Sequence, residues 1–154
     1  MGSIRTETDQ VFLTLVESGN IRYTVQPVGA PTAAVSDGAA AAWAWSAYVQ
    51  IVAAAVVPDP CWLTGVYLTT PVVEAFLSDV AIASGALAAE VDLAIVHAGE
   101  ELFAVVEGKS LYLPLPYPVK IIGSPRLATR IRKSSAASAA GWSLKVGIAA
   151  AIGT

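Results

Sequence analysis

Residues 38–58, GAAAAWAWSAYVQIVAAAVVP, decide between two very different folds. The run carries no charge and matches the ~20 residues that a membrane-spanning helix needs. Its flanks are Asp37 and Asp59, with no Lys or Arg at either end, and its aromatics gather in one third of the run instead of forming a belt at each end. Within it, Trp43, Trp45, Ala47, Val49 and Ile51 alternate with Ala44, Ser46, Tyr48 and Gln50, which is the two-residue period of a strand. The run therefore reads as a strand from Trp43 to Ala53, and no membrane association is expected.

The whole chain follows the same pattern. Its 154 residues suit one principal core; 55% are hydrophobic and only 14% charged, against about 25% charged in an ordinary globular domain. A mean hydropathy of +0.62 excludes a disordered chain and implies surface hidden against copies of itself or a partner. The net charge of -3 gives no positive field to attract nucleic acid. With one cysteine, Cys61, no intrachain disulfide or cysteine-rich zinc site can form. Arg5, Glu7 and Asp9 stand where the apolar core of a secretory signal would begin, so no signal peptide and synthesis in the cytoplasm are expected.

Short alternating runs separated by Gly, Pro, Ser or Asp every ten residues or so mark an all-β sandwich or barrel. Val11–Val16 and Ile21–Val25, joined by Ser18-Gly19-Asn20, read as a β-hairpin forming an N-terminal arm over residues 1–26. Residues 27–42, rich in Ala, Gly and Pro, read as a linker. Residues 43–154 form the main domain, with strands expected at Trp43–Ala53, Trp62–Leu68, Glu74–Ala83, Glu90–His97, Leu102–Val106, Leu111–Leu113, Val119–Ile122, Leu127–Arg132 and Trp142–Ile148. Trp62, Thr64, Val66 and Leu68 are expected on one face, as are Val91, Leu93 and Ile95; Trp62 and Trp142 read as core. About eight strands favour a two-sheet sandwich, with a jelly roll the leading architecture.

Catalytic chemistry finds little footing. His97 is the only histidine, and beside Gly99 it reads as an exposed structural residue, although Glu90, Asp92, Glu100 and Glu101 are near in sequence. Cys61 has no basic neighbour to activate it, no Gly-x-Ser-x-Gly elbow occurs, and no Gly-rich phosphate loop is present. No catalytic residue, metal ligand or cofactor is assigned, and the chain is not read as an enzyme.

The residues that stand out suggest contact. Arg126, Arg130 and Arg132 share the face opposite Leu127, Thr129 and Ile131. Guanidinium groups so close need carboxylates, phosphates or water. Two readings stand: a solvated outer face, or contact with an acidic protein surface, either a neighbouring copy offering Glu74, Glu90 or Asp92 or a larger assembly beneath. Pro114 and Pro116 fix an extended chain with missing donors, which suits an edge strand that resists further sheet addition. Trp43 and Trp45 open their strand beside the linker and are candidates for a subunit contact.

Residues 111–132, LYLPLPYPVKIIGSPRLATRIR, resemble a segment of the small virion proteins of tailed bacteriophages: a proline-rich edge, a strand, a glycine turn and Arg-Leu-Ala-x-Arg. Trp62-Leu63-Thr64-Gly65-Val66 and Ile82-Ala83-Ser84-Gly85 followed by Glu90-Val91 are similar to the same pattern. The resemblance covers roughly Trp43 to Ile148; the N-terminal part carries no matching motif. It implies a jelly-roll domain, a homotrimer, and a place on the capsid surface as a decoration or cement protein that binds the major capsid protein and stabilises the assembled head. The competing reading is a tail or receptor-binding module that holds a host-surface glycan on residues such as Trp43 and Tyr48.

Overall fold

The computed structural model describes residues 4–28, 34–36, 41–69, 78–98, 110–134 and 141–152. Its elements are α1 (Ile4–Glu17), β1 (Ile21–Gln26), β2 (Ala34–Ser36), β3 (Val49–Val52), β4 (Cys61–Thr69), β5 (Ser78–Ser84), β6 (Val91–Ala98), β7 (Ser110–Ile121), β8 (Leu127–Lys133) and β9 (Gly141–Ala151). One sheet has the order β1-β9-β4-β7, with β2 also on β9; the other has the order β3-β8-β5-β6. Every pairing is antiparallel.

Leaving β2 aside, the first of the remaining strands pairs with the last (β1 with β9), the second with the seventh (β3 with β8), the third with the sixth (β4 with β7) and the fourth with the fifth (β5 with β6). That is one long antiparallel ribbon rolled over on itself, and β4–β9 and β5–β8 pairing closes it into two sheets. The chain is thus an all-β jelly roll. Between the sheets lie Leu63, Val66 and Leu68 of β4, Val80 and Ile82 of β5, Leu127 and Ile131 of β8, and Leu144, Val146 and Ile148 of β9, all buried.

Two bulges alter the expected faces. The register of β4 shifts between Leu63 and Gly65, so Leu63 points into the core with Val66 and Leu68. Trp62 turns the other way. It is buried, but beneath the Phe12 ring of α1, with ring centroids 5.8 Å apart, and not between the sheets. The second bulge, between Ile82 and Ala83 on β5, falls opposite Leu93. Leu93, Ala94 and Val96 therefore pack on the core while Val91 and Ile95 are exposed.

The N-terminal hairpin is not formed. Residues 4–17 are helical, and Ser18-Gly19-Asn20 closes the helix instead of joining two strands. Asn20 N donates to Leu15 O, Gly19 N donates to Val16 O, and Gly19 takes φ +69°, the geometry of a Schellman cap. A glycine at positive φ serves a hairpin turn or a helix end equally well, and here the inward spacing decides: Phe12 and Leu15, three apart, are the half-buried apolar side chains, whereas Val11, Leu13 and Val16 are exposed. β1 runs along β9 from Ile21 opposite Ala151 to Gln26 opposite Val146, so it belongs to the sandwich and not to an arm. The expected linker contains β2, which pairs with residues 141–143 of β9. Of the strand expected from Trp43, only Val49–Val52 is regular.

Leu111–Leu113 and Val119–Ile122 prove to be one strand, β7, which runs through Pro114, Pro116 and Pro118 at the end of its sheet, where missing donors cost no ladder bonds. The strand expected at Leu102–Val106, the residues Glu74, Glu100 and Glu101, and the Trp142 side chain lie outside the described residues. No helix among the described residues is long and apolar enough to cross a membrane.

Gly65 marks the tightest approach of β4 to β7. A Cβ there would stand 2.6 Å from Leu113 O and 2.6 Å from the Tyr112 ring. Gly65→Ala should lower unfolding stability by about 1–3 kcal/mol, since backbone as well as a ring must move; urea denaturation at constant m-value is the check.

Candidate functional site

The expected contact residues of the second sheet assemble on its outer face. Its floor is small: Ala81 and Ala83 of β5 and Ala128 of β8 point outward, yet all three are fully buried, because a layer of arginines and aromatics lies over them. Arg130 pairs in register with Ala81, and Arg132 with Asp79, which in turn faces His97 on β6.

Each of the three arginines meets a carboxylate of its own chain. Arg126 Nη1 lies 2.8 Å from Glu90 Oε1, Arg130 Nη2 2.5 Å from Asp92 Oδ2, and Arg132 Nε 2.7 Å from Asp79 Oδ2. Arg126 also donates to Gly85 O and to Gln50 Oε1. The face is therefore neither bare to solvent nor waiting for an acidic neighbour. The carboxylates foreseen for such a neighbour, Glu90 and Asp92, are supplied from β6 and the turn before it, because the jelly roll brings β5 between β8 and β6.

Aromatic rings cover the guanidiniums. After residue 42 the chain runs beside β8: Trp43 N donates to Lys133 O, Ser46 N donates to Ile131 O, and Ile131 N donates to Ser46 Oγ. This path sets Arg132 over the Trp45 ring at 4.5 Å and the Trp43 ring at 5.7 Å, and Arg130 over Trp45 at 4.7 Å and Tyr48 at 4.5 Å. Each such contact is worth about 0.5–2 kcal/mol, more where water is excluded. Trp43 takes φ +61° and remains 43% exposed, so it forms the open end of the ladder. Tyr48 closes the other end by donating to Asp92 Oδ1 at 2.7 Å. Burial, with the Asp92 hydrogen bond and charge, pushes its phenol up to about 12.

His97 is exposed, its side chain 76% accessible, with Nδ1 2.6 Å from Asp79 Oδ1. Asp79 is thus held from two sides, by His97 and Arg132. Cys61 is fully buried; burial, and then the charge of Asp59, push its thiol up to about 11, the reverse of nucleophile activation. Among the described residues no group of three or more His, Cys, Asp or Glu could hold a metal ion. Pro114 and Pro116 stay apart from this cluster, exposed on the edge strand of the other sheet.

Sequence reasoning missed Asp79 and the alanine floor, and named Tyr48 only as a glycan contact and not as part of the arginine cluster. A signal was present in β5, where Ala81 and Ala83 alternate with Val80 and Ile82. A strand with large residues on one face and alanine on the other needs a cover on the alanine side.

No family model and no curated protein sequence matches the chain. Solved structures that it resembles include the infectious bursal disease virus Gx strain, with a TM-score of 0.38 and 13% identity over 87% of this chain and 33% of that one. The infectious bursal disease virus VP2 subviral particle gives a TM-score of 0.40 and 10% identity over 87% and 34%. The Gt strain of the same virus gives 0.37 and 14% over 86% and 32%. The chain spans about a third of the length of these structures.

Two outcomes follow from the charged layer. Arg132→Gln leaves the Asp79 carboxylate, 7% exposed, with His97 alone and removes the guanidinium from Trp43 and one of the two from Trp45. Stability should fall by about 1–3 kcal/mol in denaturant unfolding, with loss of near-ultraviolet dichroism from the tryptophans. The second concerns acid. The Arg126 hydrogen bond, more than its charge, holds the Glu90 carboxyl below its usual range. A depressed carboxyl stabilises the fold above its unfolded pKa of about 4.3, and that contribution is lost as pH falls through the folded value. Glu90→Gln should therefore flatten the decline of the unfolding midpoint below about pH 4.3, measured as a pH series against the parent.

Proposed function

We propose that this chain is a structural protein of a virus particle, a jelly-roll subunit that acts by packing against other proteins and not by catalysis. The observation that carries this reading is where charge and apolar surface lie. The Arg126–Glu90, Arg130–Asp92 and Arg132–Asp79 pairs and the His97–Asp79 contact lie on the outer face of the second sheet and are made within the chain. Large apolar side chains are exposed beside both sheets, among them Tyr23, Tyr117, Ile122 and Ile152 by the first and Val91 and Ile95 on the second. An apolar surface of this kind gains about 25 cal/mol for each Å² covered on association.

The finer reading is a decoration or cement protein of a tailed-phage head, assembled as a homotrimer on the major capsid protein. It is supported by the resemblance carried by residues 111–132, which form the proline edge strand and the arginine strand. Binding only the assembled shell would stabilise that shell by mass action. In this reading Trp43, Trp45, Pro114 and Pro116 remain contact residues. Arg126, Arg130 and Arg132 act from below, by holding the aromatic layer in place.

Native particles imaged by cryo-electron microscopy should carry this protein in a regular lattice over the head, and the isolated chain should sediment as a trimer. Density confined to the tail would replace the decoration role with a receptor-binding one. Absence from particles would overturn the virion reading altogether.

A further inference from the structure

The two edges of the first sheet are built differently. β7 carries Pro114, Pro116 and Pro118, which block addition of another strand. β1, at the opposite end of the sheet, has no proline within Ile21–Gln26 and holds regular register with β9 throughout. Among the described residues no strand pairs with its outer edge. Such an edge presents free backbone donors and acceptors.

Beside it lies an open cavity of about 230 Å³. Arg22, Thr24 and Gln26, alternate residues of β1, line it together with the end of β9 at residues 150–152 and with Val56 and Pro58, so it lies over the β1–β9 pair. The volume is below the ~300 Å³ of a typical small-molecule site and suits one or two side chains. Arg22 has no carboxylate partner among the described residues, in contrast to Arg126, Arg130 and Arg132. An exposed guanidinium beside a cavity favours a carboxylate, which it can grip in two parallel hydrogen bonds. The exposed side chains of Val56 and Ile152 offer an apolar seat next to it.

The geometry points to β1 as a docking edge for an extended, acidic segment of another protein chain. The segment adds as a further strand, places a Glu or Asp side chain against Arg22, and sets an apolar residue two positions away towards Val56. Main-chain pairing supplies affinity, and the charge selects the register.

The test is a titration of the isotope-labelled full chain with the acetylated, amidated heptapeptide Thr-Val-Thr-Glu-Val-Thr-Val, its Gln counterpart, its Lys counterpart and free butyrate, read by amide NMR shifts. The Glu peptide should shift β1 amides and bind about tenfold or more tighter than the Gln peptide, the scale of a charge-assisted hydrogen bond. Arg22→Gln, a change at an exposed side chain verified to unfold at the parent temperature, should erase that difference; Arg22→Glu should prefer the Lys peptide. Equal binding of the Glu and Gln peptides, discrimination that survives Arg22→Gln, shifts centred away from β1, or no binding at all would overturn the proposal. Butyrate binding as well as the Glu peptide would also overturn it, in favour of a pocket for free carboxylates.

Discussion

The Asp79 carboxylate has lost nearly all contact with water, and the second sheet is arranged around neutralising it. A buried carboxylate must be met by cations or strong donors. Arg132 reaches it from β8 and His97 from β6, so one side chain on the central strand binds both neighbours. This contact also fixes register: a slip of one residue would turn Asp79 into the core and Val80 out of it. Arg132, once held by Asp79, becomes the surface on which Trp43 and Trp45 lie. The course of residues 43–48 along β8 depends on it in turn.

Strands β4, β5, β6, β8 and β9 were legible because alternation and turn residues agree there, and the edge position of β7 could be read from its prolines. What the sequence hid has identifiable causes. Gly19 signals a reversal of the chain without saying whether a strand or a helix ends there, and the run Val11–Val16 satisfies both periods. The bulges at Thr64 and Leu93 shift the phase of two strands by one residue, which no single-strand pattern records. The arginine face was placed correctly on β8. Its carboxylates could not be assigned to the same chain, because that assignment rests on which strands become neighbours, and pairing across a rolled ribbon is a property of the whole topology. The alanine floor left a trace in the alternation of β5, but alanine does not say what covers it, and that came from the rings above.

Two N-terminal segments cover parts of the outside of the sheets. α1 lies over Trp62 on the outer face of the first, and the rings of Trp43, Trp45 and Tyr48 lie over the arginines of the second. The sandwich therefore has four layers in places, although neither outer layer is a sheet. This accounts for the sparse charge of the chain, since outward-facing strand positions that would ordinarily be polar are roofed over. The two covers differ in chemistry. The helix meets its sheet through aromatic and aliphatic contact, whereas the other segment is held by alternating rings and guanidiniums whose charge is balanced one level down.

The pairing of first strand with last also sets an order of events. β1 has its only described neighbour in β9, which is separated from it by the rest of the ribbon, and β4 lies between β9 and β7. The first sheet has no centre until the final strand is present. During synthesis the helix and β1 emerge long before the surface they cover, and the early chain carries its apolar residues without a place to bury them. Wiring of this kind closes loops of nearly the full chain length before the contacts that reward them exist, which makes folding slow relative to a protein of local contacts. The second sheet is different: β5 and β6 are adjacent in sequence and β8 follows soon after, so the Asp79 cluster can form first and serve as the template on which the remaining strands are laid.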